Sequence, residues 1–136
     1  MSESISYLDI RLDAERISKV SNLGLAHIGD CVYELMVRSY LVYHGASTAG
    51  GLHKNTVRFV SAPAQAEAVE RIKYLLTDAE MAIYKRGRNS RVNSVPKNAK
   101  LSQYHAATGL ETLFGYLYLT GEKVRLDELF SKIMEN

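Results

Sequence analysis

Between Lys19 and Arg38 the chain carries only two full charges, Asp30 and Glu34. The run Asn22-Leu23-Gly24-Leu25-Ala26-His27-Ile28-Gly29-Asp30-Cys31-Val32-Tyr33-Glu34-Leu35-Met36-Val37-Arg38 contains no proline and is apolar nearly all the way round a helical wheel. It therefore reads as a buried helix, continuing to about Tyr43 before His44-Gly45 ends it. At helical spacing His27, Asp30 and Glu34 share one stripe, while Leu25, Ile28, Val32, Leu35 and Met36 cover the opposite side. A carboxylate on such a helix is costly unless a cation or a hydrogen-bond donor meets it. Gly29 and Cys31 flank Asp30 with small side chains, leaving room for another backbone or a bound ion.

A second helix, read from Leu101 to Thr120, repeats the pattern with Glu111 as its only full charge. Tyr104, Thr108, Glu111 and Gly115 share one of its faces, and Leu110, Leu113, Phe114 and Leu117 another. Two lone carboxylates, each near a glycine on an apolar helix, are expected to converge. Their repulsion would then be relieved by a proton or a divalent cation. Carboxylate ligands without nitrogen or sulfur suit a hard cation such as magnesium, which keeps most of its waters. The competing reading is structural, each carboxylate being neutralised by an arginine or capping another helix. The pattern alone leaves both open.

The remaining segments also read as helices: a short one at Asp13–Ser18, Leu52–Val60 after a flexible Gly50-Gly51 join, and Ala64–Leu76 with an Ala68, Ile72, Leu75 stripe. Thr77-Asp78-Ala79-Glu80 has the form of a capping box. The helix it opens runs into Lys85-Arg86-Gly87-Arg88, Val92–Ala99 with Pro96 reads as a loop, and Arg125–Met134 closes the chain. No segment alternates with period two, so the fold class expected is all-α, a helical bundle forming one domain over residues 1–136. A single cysteine excludes an internal disulfide framework and points to a reducing cytoplasm. The N-terminus lacks the basic and apolar regions of a signal peptide, and no apolar run is long enough to span a membrane.

Charge is unevenly distributed. Residues 81–110 hold six bases (Lys85, Arg86, Arg88, Arg91, Lys97 and Lys100) and no acid, the footprint of a polyanion partner or else of a solvated basic loop. Other chemistries find little support. His27 and Cys31 share one helix with no third residue to orient them, and a lone cysteine is usually a small buried hydrophobe. His27, His44, His53 and His105 lack zinc-site spacing, and no Gly-rich phosphate loop is present. Tyr116 and Tyr118 read as packing residues rather than base-stacking ones.

Leu25-Ala26-His27-Ile28-Gly29-Asp30-Cys31-Val32-Tyr33-Glu34-Leu35 resembles the signature helix of the ribonuclease III family, and Ala107–Leu119 resembles that family's second acidic helix. Val60-Ser61-Ala62, Gln65-Ala66, Lys85–Ser90 and Val95-Pro96-Lys97-Asn98-Ala99 are similar to the mini-ribonuclease III branch. The resemblance spans about Asn22 to Gly121 and implies an all-α endonuclease domain that dimerises through its signature helices. It implies magnesium-dependent cleavage of double-stranded RNA, with 23S ribosomal RNA precursor as substrate, and it allows a ribosomal protein that presents that substrate. Asp30 and Glu111 match the family's essential aspartate and glutamate, as catalytic residues and metal ligands. Leu23, Ala26 and Thr108 stand where larger members carry further carboxylates, and the double-stranded-RNA-binding domain of those members is not expected here. Lys85, Arg86, Arg88, Arg91 and Lys97 are then the candidates for gripping duplex phosphates, with His53 and Lys54 as weaker ones. A catalytically silent dimer that binds structured RNA during ribosome assembly is the rival from another class.

Overall fold

The fold is built around α6 (Leu101–Leu119), which has no charged face to leave in water. Leu110, Leu113, Phe114 and Leu117 bury one side of it with large side chains, and Thr108, Gly109, Thr112 and Gly115 bury the other with small ones. The large side fills the core, and the small side lets neighbouring backbones come close. A computed structural model describes residues 4–45, 48–90 and 100–135. Every regular element in it is helical, as expected: α1 (Ala14–Ser18), α2 (Asn22–Tyr43), α3 (Ala49–Val60), α4 (Ala62–Ile72), α5 (Asp78–Arg88), α6 and α7 (Lys123–Ile133), with a 3-10 turn at Lys73–Leu75. α2, α4, α5 and α7 all pack on α6. Among the described residues no helix is long and apolar enough to cross a membrane. The predicted loop Val92–Ala99 lies outside the described residues.

α2 departs from the uniformly buried helix read from its sequence. Its buried residues are Leu25, Ala26, Gly29, Tyr33, Val37 and Leu41, essentially one i+4 ridge laid along α6. Tyr33 meets Phe114 and Phe130 edge-on, at centroid distances of 5.2 and 6.0 Å. Ile28, Val32 and Met36 are only half-buried, and Leu35, expected on the buried side, is 55% exposed. The buried bearing follows the ridge that fits α6, and the rest of the apolar circumference faces outward.

Local chemistry explains the helix boundaries. Gly50 and Gly51 belong to the first turn of α3 rather than to a flexible join, because the Thr48 hydroxyl accepts from Gly51 N at 3.0 Å. Ser61 ends α3 and caps α4, accepting from Ala64 N. Pro63 follows harmlessly, since N–H groups in a first turn have no intrahelical acceptor. α4 stops at Ile72 and tightens into the 3-10 turn, which swings Leu75 off the expected stripe and leaves it 41% exposed.

The capping box at Thr77 is present, and it does more than start α5. Thr77 Oγ1 accepts from Glu80 N, Thr77 N donates to Glu80 Oε1, and Arg125 donates to both Glu80 oxygens at 2.9 Å and to Leu75 O at 2.8 Å. One guanidinium thus ties the 3-10 turn, α5 and α7 together. The Arg125 hydrogen bonds hold the Glu80 carboxyl below its ordinary value, against the effect of burial. Glu80 therefore contributes stability above the usual carboxylate range, and that contribution is lost as pH falls through its lowered value. Arg125→Ala is expected to cost about 2–3 kcal/mol at pH 7, by leaving Glu80 without its partner. The cost should shrink toward pH 3 in urea titrations; a pH-independent cost would show that packing of the Arg125 stem dominates.

Candidate active site

Asp30 and Glu111 meet because α2 and α6 cross with their backbones in contact. A methyl group on Gly29 would lie 1.6 Å from Glu111 O, and one on Gly115 would lie 1.9 Å from Leu25 O. Only two facing glycines permit this approach, and each sits beside or one turn from a carboxylate. The room expected beside Gly29 is taken up by α6. The crossing brings the Asp30 side chain within hydrogen-bonding reach of the Glu111 carboxyl.

The two carboxylates are held differently. Asp30 is exposed, whereas Glu111 is half-buried and accepts a hydrogen bond from Gln65 Nε2 at 3.3 Å. Burial first, and the Asp30 charge second, push the Glu111 carboxyl up to about 8, while the Gln65 hydrogen bond pulls the other way. Among the described residues neither carboxylate is paired with a lysine or arginine, whereas Glu34 on the same helix is paired with Arg38 at 3.0 Å. The structural reading, in which an arginine neutralises each carboxylate, has no counterpart among the described residues. The pair holds excess negative charge that a proton or a cation must relieve.

The donor set fits a hard divalent cation. It consists of two carboxylates, both oxygen donors, with Asp30 open to water and Glu111 held by the Gln65 amide nitrogen. Among the described residues no cluster of three or more acidic, histidine or cysteine side chains is present, so water would fill most of the coordination shell. Thr108 is buried on α6, and its hydroxyl donates to Tyr104 O at 3.1 Å. Leu23 is exposed and Ala26 buried on α2. Cys31, expected to be a buried hydrophobe, is exposed, because it lies on the side of α2 turned away from α6.

Gln65 is the site residue that sequence reasoning missed. It is 3% exposed on α4, in line with Ala68, Val69 and Ile72. A lone amide on an otherwise apolar stripe was the available signal.

The basic candidates divide. Lys85 and Arg86 are exposed in the last turn of α5, and Arg88 is half-buried with its guanidinium 5.8 Å from the Tyr84 ring centroid. Gly87 anchors this turn to α6, where an added methyl would lie 2.2 Å from Thr112 Oγ1, next in sequence to Glu111. His53 and Lys54 are exposed on a different helix, α3, which packs on α2 and α4. Arg91 and Lys97 lie outside the described residues.

The chain is similar to known proteins. The Ribonuclease III domain family matches residues 23–122, the segment that contains both acidic helices and the basic turn. The Mini-ribonuclease 3 of Clostridium tetani is 38% identical over 129 residues, covering 94% of this chain and 85% of that protein. That of a Thermoanaerobacter species is 46% identical over 118 residues, covering 87% and 83%. A crystal structure of a Fusobacterium nucleatum protein superposes with a TM-score of 0.80 at 27% identity, over 87% of this chain and 96% of that one. On these matches the chain belongs to the ribonuclease III family, the endoribonucleases of double-stranded RNA.

Proposed function

We propose that this protein hydrolyses phosphodiester bonds of double-stranded RNA in a magnesium-dependent reaction, as a homodimer, and matures the ends of 23S ribosomal RNA precursor. The observation that carries the reading is the convergence of the Asp30 and Glu111 carboxylates, unpaired among the described residues, at the Gly29–Gly115 crossing. Magnesium held there would activate the attacking water and stabilise charge on the leaving oxygen. Asp30, exposed at the rim, would hold the cation on the side from which the phosphate approaches. Glu111, anchored from below by Gln65, fixes the position of the site relative to the helix core. The ribosomal substrate, a ribosomal protein that presents it, and a cytoplasmic location rest on the sequence resemblance and on the lone cysteine. The deciding experiment incubates purified protein with an RNA duplex, with and without magnesium. Cutting of both strands only with the metal is expected, and stable binding without cutting under either condition would leave the RNA-binder reading in its place.

Dimerisation is supported by the outward face of α2. Leu23, Leu35 and Val42 are 57%, 55% and 61% exposed on one helix, more apolar surface than a lone soluble helix usually leaves open. A self-complementary helix face is a common way to form a twofold dimer. Sedimentation at micromolar concentration is expected to give about twice the chain mass, and Leu35→Lys to shift it toward the monomer.

Lys85 and Arg86, exposed in the last turn of α5, would neutralise phosphates of the duplex. Each removed phosphate contact lowers the slope of log affinity against log salt by somewhat less than one unit. Arg86→Ala is therefore expected to weaken binding of unrelated duplexes alike and to flatten that slope. If Arg86 serves only to complement the carbonyl end of α5, alanine lowers thermal stability and leaves the slope unchanged.

A further inference from the structure

Gln65 is more deeply buried than either carboxylate, and its hydrogen bonds are incompletely matched. Its Nε2 donates to Val60 O at 2.9 Å and to Glu111 Oε2 at 3.3 Å. Both partners are acceptors, so the amide must face them with its two N–H groups, and the opposite flip would set oxygen against oxygen. The remaining atom, Oε1, is fully buried with no hydrogen-bond partner among the described residues. A buried acceptor left unmatched costs free energy, and such groups mark places where a function is served. Leucine or methionine would fill this position at an apolar helix stripe without that cost. The amide is therefore explained by what it does for Glu111 and for whatever Glu111 binds.

We propose that Gln65 is the positioning residue of the cation site: its N–H groups clamp Glu111 against the end of α3, and so fix the carboxylate that holds the divalent cation together with Asp30. This rests on the reading of those two carboxylates as the cation-binding pair. The logic is that of metal sites generally, in which groups hydrogen-bonded to the ligands fix their orientation and govern affinity. Ser61 contributes by ending α3 where it does, which leaves Val60 O free to take the second N–H of the clamp.

The test measures magnesium binding by calorimetry on RNA-free protein, alongside turnover, for Gln65→Met, Gln65→Glu and Asp30→Asn. Methionine keeps the length of the side chain and removes donor and acceptor together. Gln65→Met is expected to bind magnesium about 10- to 100-fold more weakly and to lose kcat by a similar factor, with KM for duplex RNA unchanged. Gln65→Glu adds charge beside the pair, so it is expected to bind magnesium at least as tightly as the parent while still losing kcat, because Glu111 is no longer clamped. A merely structural glutamine would lower melting temperature in both variants and leave magnesium affinity at the parental value, which overturns the proposal. If Asp30→Asn also binds magnesium like the parent, the cation-pair reading itself fails and Gln65 fails with it; a loss confined to Asp30→Asn removes Gln65 alone.

Discussion

Asp30→Asn and Glu111→Gln are each expected to lower turnover by about 10³-fold or more, the loss that follows when several kcal/mol of cation-derived stabilisation disappears. Binding of duplex RNA should survive in both, since the basic turn of α5 is untouched. The two variants differ in what they do to the metal-free fold. The folded-state carboxyl of Glu111 is pushed up to about 8, so folding of the metal-free protein takes up a proton. The associated stability is present below the ordinary carboxylate value and is lost as pH rises toward 8 and beyond, by an amount on the order of several kcal/mol at full ionisation. Glu111→Gln removes that loss. In the presence of a chelator its melting temperature is expected to exceed the parent's at pH 9 and to match it more closely at pH 5. Magnesium should then stabilise the parent and not the variant. Parental turnover in either variant, or a Glu111→Gln melting profile that tracks the parent across this range, would remove the residue from the site.

Gly29→Ala and Gly115→Ala are expected to be the most destabilising single-methyl additions in the chain. At each position the new carbon would overlap main-chain atoms of the opposite helix, which cannot rotate out of the way as a side chain can. Overpacking a core costs about 1–3 kcal/mol when side chains absorb it, and backbone collision lies at or beyond the upper end. A fall in melting temperature on the order of 10 °C is the expected reading. The same separation of α2 from α6 moves Asp30 away from Glu111, so any folded fraction should show weaker magnesium binding per molecule. Gly50→Ala provides the control, because a methyl there meets nothing within 4 Å. A Gly29→Ala protein with parental stability would mean that the helices do not touch as described.

The sequence exposed some of this arrangement and hid the rest for definite reasons. Asp30 and Glu111 stood out because a charge on an otherwise apolar wheel is conspicuous without any tertiary information. The Thr77–Glu80 capping box was equally plain, since its chemistry is local. The orientation of α2 was not. An apolar residue that packs inside its own chain and one that is left facing outward, such as Leu35 or Cys31, obey the same periodicity, and only the bearing of α6 separates them. Gly50 and Gly51 were misplaced because glycine propensity was weighed without the Thr48 cap. Gln65 was legible as a motif residue but not as part of the site, because its partner lies on another helix 46 positions away. Arg91 and Lys97 lie outside the described residues and remain expectations from charge.

The glycine crossing also bears on when this protein becomes dangerous to RNA. Asp30 and Glu111 are about 80 positions apart, and nothing local holds either one near the other. A chain emerging from its N-terminus presents α2 well before α6 exists, and a partly folded molecule in which α6 has not docked contains two isolated carboxylates rather than a site. On this reading cutting competence arrives only when α6 docks on α2, so copies in which that contact has not formed would not cut.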